Sequence, residues 1–483
     1  MKLTLRGHQD LYAVEQLMMQ LFPQTDQGEA LSSLSAGKTY LTATAKIEYR
    51  GRVGRAVKRL PAAERDDVRR RRRILQQSFY LAALQVLDAP PPWGALAGVR
   101  PTKLTSAHLL SGGTEVSADR LLKDTYFVSE ARRRLCIDAS RHTVETARLL
   151  RPRDLSIYVG IPFCPTRCAY CSFVSQSIEK FGKDLPPYLE ALLREIAYTG
   201  GLLRKTGRTV RTLYIGGGTP TTLSAPQMDR LLAAIREHFD LSECLEFTVE
   251  GGRPDTLDLE KLRVIRQGGA DRMSINPQTM SDEVLRRIGR RHTTAQTLRA
   301  YADAQAAGFE GINMDLIAGL PGDTTDSFLD SVRQVIGLDP SNITVHTLAL
   351  KKAAALYQDR RDLPSGEAVA EMLTRTEEAL RNAGYEPYYL YRQKYMSGSF
   401  ENVGWCKPGF TGLYNSAMME ELHTILSLGG GGMTKVNLGP GQLQRFHNPK
   451  IPADYIARID EILAQKDQVF ALLEEADSQT PLL

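Results

Sequence analysis

Cysteine is scarce in this chain, with six in 483 residues, which excludes a small scaffold stapled by disulfides and suits a reducing compartment. Long apolar runs are missing too. No stretch approaches the roughly 20 residues that a membrane-spanning helix needs. The start, Met1-Lys2-Leu3-Thr4-Leu5-Arg6-Gly7, has none of the features of a secretory leader, so a cytoplasmic protein is expected. There is no internal repeat and no low-complexity tract. A basic segment interleaved with aromatic residues is also lacking, which argues against nucleic acid as a partner. What the chain does have is material for a large core: 42% of its residues are hydrophobic, over a length that suits two or three domains.

The formal net charge of +5 is spread unevenly. Arginine is unbroken from Arg69 to Arg73 and again over Arg132-Arg133-Arg134, and Arg151-Pro152-Arg153 follows. Two readings stand side by side. Such runs are commonly solvated helix faces, and they equally suit a carboxylate-rich or phosphate-bearing partner.

Three of the six cysteines lie within eight residues of one another, in Ile161-Pro162-Phe163-Cys164-Pro165-Thr166-Arg167-Cys168-Ala169-Tyr170-Cys171-Ser172-Phe173. Three clustered thiolates can hold three of the four irons of a cubane iron–sulfur cluster and leave the fourth open to another ligand. The alternative is structural zinc. Zinc takes four ligands, typically as two closely spaced pairs, and no fourth Cys or His lies within a short loop of Cys171. Cys136, Cys244 and Cys406 are scattered and read as ordinary buried thiols.

Between about residues 154 and 385, strand-like and helix-like patterns alternate. Strands are expected at Leu155–Val159, Thr212–Ile215, Leu245–Val249, Arg272–Ile275, Ile312–Ile317 and Ile343–Leu348. Helices are expected at Tyr188–Leu203, Pro226–Phe239, Asp258–Gln267, Thr294–Ala307, Thr325–Ile336 and Gly366–Ala383. Six such units make an α/β fold with a parallel sheet curved into a partial (β/α)6 barrel over residues 151–385, with chemistry at the C-terminal ends of its strands. The cysteine loop follows the first strand and Gly216-Gly217-Gly218-Thr219-Pro220 follows the second. Glu250 ends the third, and Asp315 lies near the end of the fifth. The glycine run lets a ligand approach the main chain closely and forms a nest for a charged group.

Residues 1–150 read as an N-terminal α+β domain: a strand at Leu3–Leu5, a helix at Tyr12–Leu21, a strand at Lys38–Tyr49 and a helix at Glu64–Leu87, with Pro90-Pro91-Pro92 as a linker. This domain is a candidate substrate cap. Residues 386–483 read as a short C-terminal extension that completes the cosubstrate pocket.

The C-x3-C-x2-C spacing resembles that of the radical S-adenosylmethionine (radical SAM) enzymes. Tyr158-Val159-Gly160-Ile161-Pro162-Phe163, Gly216-Gly217-Gly218-Thr219-Pro220-Thr221, Ser274-Ile275-Asn276-Pro277-Gln278 and Asn313-Met314-Asp315-Leu316-Ile317-Ala318-Gly319-Leu320-Pro321 resemble the oxygen-independent coproporphyrinogen III dehydrogenases and their relatives, over roughly residues 154 to 435. Trp93-Gly94, Val99-Arg100-Pro101-Thr102-Lys103, Tyr389-Leu390-Tyr391-Arg392-Gln393-Lys394 and Glu401-Asn402-Val403-Gly404 look most like the variant with a long N-terminal extension.

The resemblance implies a [4Fe-4S] cluster on Cys164, Cys168 and Cys171. It implies S-adenosylmethionine lined by Tyr158, Tyr170, Gly217, Gly218, Thr219, Glu250, Gln278, Arg290, Asp315, Ala349 and Met433, with Arg290 on the methionine carboxylate. The activity implied is anaerobic oxidative decarboxylation of coproporphyrinogen III to protoporphyrinogen IX. Its partners would be a tetrapyrrole substrate, whose carboxylates the N-terminal arginines would suit, and a low-potential electron donor such as flavodoxin or ferredoxin.

The sequence also departs from that pattern. Phe173 stands where dehydrogenases commonly carry a further cysteine and is typical of the related heme chaperones. Tyr414-Asn415 stands where those chaperones carry His-Asn. Gly160 replaces a usual histidine, and the stretch after Glu250 is one residue longer than common. About fifty residues follow Met433, fewer than the C-terminal helical domain of most relatives, so substrate capping is expected to be done differently. A heme chaperone and a radical enzyme acting on another substrate are the alternatives.

Overall fold

The computed structural model describes residues 1–22, 27–172, 175–350, 354–357, 362–393, 400–439 and 441–479. The chain forms two compact units. One spans Met1–Ser140 and takes in Arg392. The other runs from Arg141 to Tyr391 and includes the C-terminal segment.

The first unit opens with a four-stranded sheet covered by two helices, and the helices Thr102–Leu110 and Glu115–Arg120 and the start of Glu130–Leu149 follow. The strands Lys2–Arg6, Glu29–Ala36, Tyr40–Tyr49 and Arg52–Pro61 lie side by side in sequence order. The first pair is parallel and the others are antiparallel. Strict alternation over Tyr40–Tyr49 turns Leu41, Ala43, Ala45 and Ile47 inward. They meet Val14 and Leu17 of the helix Leu11–Leu21, and Leu75 and Phe79 of the helix Val68–Ala83. The second helix starts at Val68, later than the expected Glu64, because the Asp67 carboxylate caps it by accepting from the Arg69 and Arg70 amides.

Most of the arginines that would suit a tetrapyrrole are engaged within this unit. Arg71 and Arg72 both donate to Asp10, at 3.1 and 3.0 Å. Arg70 pairs with Glu64, the Arg73 guanidinium lies over Tyr126, Arg133 donates to Asp119 at 2.6 Å, and Arg132 is buried. The proline run corrects another expectation, for it is a turn inside the unit and not a linker. Gly94 donates to the Pro91 carbonyl and Ser129 to that of Pro92, and Trp93 is wholly buried with the Arg392 guanidinium 5.4 Å from its ring centre.

The second unit is built on an eleven-stranded sheet. The six expected strands are observed as Asp154–Ile161, Thr209–Gly217, Glu246–Gly252, Arg272–Ile275, Gly311–Ala318 and Asn342–Thr347, each parallel to the next. A seventh parallel neighbour, Thr424–Gly429, lies against the first. Two strands at each end flank this core: Glu401–Cys406 and Glu386–Arg392 on one side, Met433–Asn437 and Leu443–His447 on the other. Residues read as a C-terminal extension are therefore part of the main sheet. The sheet is open, with no closed barrel among the described residues.

The intervening helices begin where the sequence supplies caps. Ser224, Asp258, Thr293, Thr324 and Ser365 each accept an amide from the first turn that follows. The C-terminal helix Ile459–Gln479 packs on the helix Leu185–Thr206, joined by Arg194 to Asp460, Tyr198 to Asp467 and Arg208 to Asp477.

A polar knot is buried toward the N-terminal end of the sheet. The Ser156 hydroxyl lies 2.7 Å from His423 Nε2 and 2.6 Å from the Thr212 hydroxyl. Burial, with Arg211 close by, pushes the His423 imidazole down to about 4. The unfolded chain thus binds the proton more readily, so stability is full above pH 6.5 and is lost as pH falls toward 4. At about 1.4 kcal/mol per unit, this amounts to up to about 3 kcal/mol. Denaturant unfolding of His423→Asn should show a flatter dependence between pH 6.5 and 4 than the native chain does. An equally steep curve would assign the effect to other groups.

Candidate functional site

The cysteine loop is anchored at both ends by main-chain hydrogen bonds. Gly218 donates to the Ile161 carbonyl at 2.8 Å, Thr219 to Phe163 at 2.7 Å and Gln176 to Pro162 at 2.9 Å. Midway, Ala169 donates to the Ile288 carbonyl at 3.0 Å and Cys171 to that of Cys168 at 3.1 Å. Cys168 is buried, whereas Cys164 and Cys171 are half-buried. Burial pushes the Cys164 thiol up, opposed by hydrogen bonds from Ser175 and Thr219, the second at 3.5 Å from the Thr219 hydroxyl.

Glycine at 217 and 218 is a geometric requirement. Gly217 has φ 129°, and a side chain there would meet the Ile161 carbonyl at 2.7 Å. A Cβ on Gly218 would stand 2.6 Å from the Phe163 carbonyl and 2.8 Å from the Cys164 sulfur. The glycine run is thus the surface against which the first thiol rests.

Level with the middle of the first two parallel strands, three tyrosines stack. Tyr158 and Tyr214 are register partners on adjacent strands, with ring centres 6.2 Å apart, and Tyr414 lies 6.4 and 4.7 Å from them. Tyr414 is held from behind, since the Glu246 carboxylate accepts the Leu413 and Tyr414 amides at 2.6 and 3.2 Å. Burial raises all three phenols well above their ordinary value, with Glu250 adding to the effect. Burial, and then Asp315, push the Glu250 carboxyl up to about 8, against a hydrogen bond from the Gly217 amide and the pull of Arg290. Asp315 accepts from the Asn313 amide at 2.7 Å and faces His346 at 3.6 Å.

Arg290 is buried and donates to the Asn276 carbonyl at 2.7 Å. Burial opposes its charge, yet neighbouring Tyr170 and Cys168 hold the guanidinium above its ordinary value. Gln278 takes a left-handed conformation, φ 69°, uncommon outside glycine and a frequent mark of functional sites. It donates to the Asp315 carbonyl at 2.8 Å and accepts from the Ile317 amide at 2.9 Å. Around it several buried polar atoms have no protein partner: Ser274 Oγ, Asn276 Oδ1, Gln278 Oε1, Arg290 Nε and Tyr414 Oη. Buried groups of this kind are normally satisfied, so these atoms are available to a polar ligand.

The structure therefore brings Cys164, Cys168, Tyr158, Tyr170, Gly217, Gly218, Thr219, Glu250, Gln278, Arg290 and Asp315 to one end of the sheet. Ala349, just past Asn342–Thr347, and Met433, which opens Met433–Asn437 with its carbonyl accepting from the Ser427 hydroxyl at 2.8 Å, reach that end through topology alone. Phe173 lies outside the described residues. Tyr214, Asn276 and Glu246 were not singled out from sequence. Two of them had a signal: Tyr158-Val159-Gly160 and Tyr214-Ile215-Gly216 repeat at adjacent strand ends, and Ser274, Asn276 and Gln278 put polar groups at every second position.

Three thiols, a glycine platform and a wall of unpartnered polar groups fit an iron–sulfur cluster with a polar cosubstrate beside it. Among the described residues no three side chains converge to chelate one metal ion. A cubane is bound one iron per thiolate, so its ligands stand further apart than those of a single ion. Gly218→Ala should force Cys164 off its position. Iron measured after anaerobic reconstitution should reveal about 10-fold weaker retention, as when the groups that orient a ligand are disturbed, while circular dichroism stays native. Unchanged iron would mean that the loop gives way at no cost to the thiol.

Residues 158–335 match the family model of the radical SAM superfamily. The oxygen-independent coproporphyrinogen-III oxidase-like protein HemZ of Bacillus subtilis is 39% identical over 78% of this chain and 77% of its own. The heme chaperone HemW of Lactococcus lactis is 33% identical over 65% of this chain and 79% of its own. In structure, the coproporphyrinogen III oxidase HemN of Escherichia coli, a radical SAM enzyme, matches with a TM-score of 0.54 at 26% identity, over 66% of this chain and 72% of that one. The cofactors of the superfamily are a [4Fe-4S] cluster and S-adenosylmethionine. No helix of the described residues is long and apolar enough to cross a membrane. The chain belongs to the radical SAM superfamily, within the family that joins the oxygen-independent coproporphyrinogen-III oxidase-like proteins to the heme chaperones.

Proposed function

We propose that this chain catalyses the anaerobic oxidative decarboxylation of coproporphyrinogen III to protoporphyrinogen IX. The observation that carries the reading is Tyr414. Where the related chaperones have a histidine, a neutral, buried phenol is stacked into the site, so that position offers no imidazole to a heme iron. The likeness to the oxidase-like relative also extends well beyond residues 158–335.

In this reading Cys164, Cys168 and Cys171 would hold the cluster, and the cosubstrate would bind beside it. Arg290 pairs with the methionine carboxylate, and Glu250 and Asp315 accept from its ammonium and ribose hydroxyls. Tyr158, Tyr170, Gly217, Gly218, Thr219, Gln278, Ala349 and Met433 complete the lining. The tyrosine stack excludes water from the reacting centre. When bound, cluster and cosubstrate together supply a carbon radical able to take hydrogen from an unactivated C–H bond. From each of two propionates a β-hydrogen leaves as an atom, the carboxylate leaves as CO2 and one electron passes to an acceptor, so that a vinyl group results. The N-terminal unit serves as the substrate cap, and a low-potential protein donor provides the reducing electron.

Phe173 favours a second reading, a heme chaperone that retains the cluster. Anaerobically reconstituted protein given S-adenosylmethionine, a low-potential reductant and coproporphyrinogen III should form vinyl products. Transfer of heme to an apo-acceptor without any vinyl product would establish the chaperone in its place. Arg290→Ala should weaken S-adenosylmethionine binding by about 2 to 5 kcal/mol, the range for truncating one partner of a desolvated charge pair, with the iron content kept. Unchanged affinity by calorimetry would move the carboxylate partner elsewhere.

A further inference from the structure

A cavity of about 760 Å3 lies beside the cysteine loop and shares only Arg290 with the residues assigned to the cosubstrate. Thr166 and Arg167 of the loop line one side, Asp282 and Arg286 of the helix Asp282–Arg287 another, and residues 289–293 the rest. Apart from Arg290, none of the groups assigned to cosubstrate or cluster lines it. The lining holds four arginines, 167, 286, 290 and 291, against one carboxylate, Asp282. That carboxylate is occupied, accepting from the Thr294 amide and hydroxyl at 2.7 and 2.9 Å. Arg291 pairs with Glu179 at 2.6 Å, but the two side chains are 66% and 54% exposed, and solvent screens such a pair heavily. Arg286 donates to the main-chain carbonyl of Asp282 and its charge acts on the Asp282 carboxylate, so that the arginines still outnumber the acids of the lining.

The floor of this cavity lies against the main chain that flanks Cys168. Gly289 is exposed, and the place where its Cβ would be lies 3.8 Å from the Ala169 nitrogen and 4.0 Å from the Arg167 carbonyl oxygen. The neighbouring Ile288 carbonyl accepts the Ala169 amide. The positive rim therefore surrounds an approach to the main chain on both sides of Cys168.

We infer that this cavity is the docking site for an acidic one-electron carrier protein, and that reduction enters the cluster here, from a different side than the cosubstrate. The inference rests on the reading that the three thiols hold the cluster. One electron passes from the carrier's reduced centre to the cluster, with no bond made or broken and no proton moved. Charge of one sign around a short approach steers an oppositely charged protein into productive contact. Substrate carboxylates are the weaker fit, because the tyrosines and carboxyls of the strand ends do not open onto this cavity.

The test uses the full chain with its cluster reconstituted and a purified flavodoxin as probe. Binding of the oxidised flavodoxin, followed by flavin fluorescence, needs no turnover. The triple variant Arg167→Gln, Arg286→Gln, Arg291→Gln should raise the dissociation constant about 10-fold or more at low salt and flatten its salt dependence. Replacing the same three residues by Lys should restore most of the affinity. Formation of 5′-deoxyadenosine driven by reduced flavodoxin should fall in parallel, while the dithionite-driven reaction stays within about two-fold of native. An unchanged dissociation constant and salt slope would overturn the inference, as would an equal loss with both reductants. Failure of native protein to convert coproporphyrinogen would leave these readouts intact, so the two readings fail separately.

Discussion

One buried carboxylate, Glu195, ties the C-terminal segment to the strand that leads into the cysteine loop. It is fully buried, pairs with the equally buried Lys466 at 2.9 Å, and accepts from the Gly429 amide, the Asn448 amide group and the Tyr455 hydroxyl. Lys466 also donates to the Ser427 carbonyl at 2.7 Å. Next to it the Tyr188 hydroxyl donates to the Gly160 carbonyl and accepts from the Gly430 amide, at 2.6 and 2.7 Å. Removing one partner of such a pair costs about 3 to 5 kcal/mol, because the other charge is left stranded. With Glu195 in place, Gly429 and Gly430 lie against Gly160, and both the cysteine loop and Met433 follow from there.

The parallel core was legible because each of its strands reads as a short apolar run bounded by turn residues, and each helix after it starts at a Ser, Thr or Asp cap. Elements outside that rhythm were not. Glu29–Ala36 has only two large apolar residues among small and polar ones, Glu29-Ala30-Leu31-Ser32-Ser33-Leu34-Ser35-Ala36. Arg52–Pro61 carries Gly54, four basic residues and a terminal proline, a composition that suits an edge strand and is easily mistaken for coil. Thr424–Gly429 escaped notice because nothing local says that His423-Thr424-Ile425-Leu426-Ser427-Leu428-Gly429 returns to the first strand. That pairing spans more than 260 residues of chain. The cysteines announce themselves by spacing, whereas Tyr414 and Glu246 meet only when distant strands and a helix N-terminus are brought together.

The carboxylates at the two ends of the sheet are treated differently. Glu246, toward the N-terminal end, is buried but meets two amides of the helix Leu413–Glu420 and lies 3.7 Å from Arg272, so its role in the folded chain is complete. Glu250, four residues on and at the opposite end, receives one main-chain amide and has another acid for a neighbour. A carboxyl left short of partners on a folded scaffold is set to receive a cation. One strand thus carries a finished interaction at its start and an unfinished one at its end.

Gln278 shows how narrow the choice of residue becomes at such a place. Pro277 has no amide to offer the ladder, and Gln278 resumes the pairing with the neighbouring strand in a left-handed conformation. Glycine would take that backbone at less cost but would remove the buried amide oxygen that has no protein partner. A β-branched residue would supply bulk and could not adopt the turn. Drift at this position is narrowed from both sides, by the left-handed backbone and by the buried amide oxygen without a protein partner, so a descendant of this chain that reshaped the pocket would have to begin its changes elsewhere.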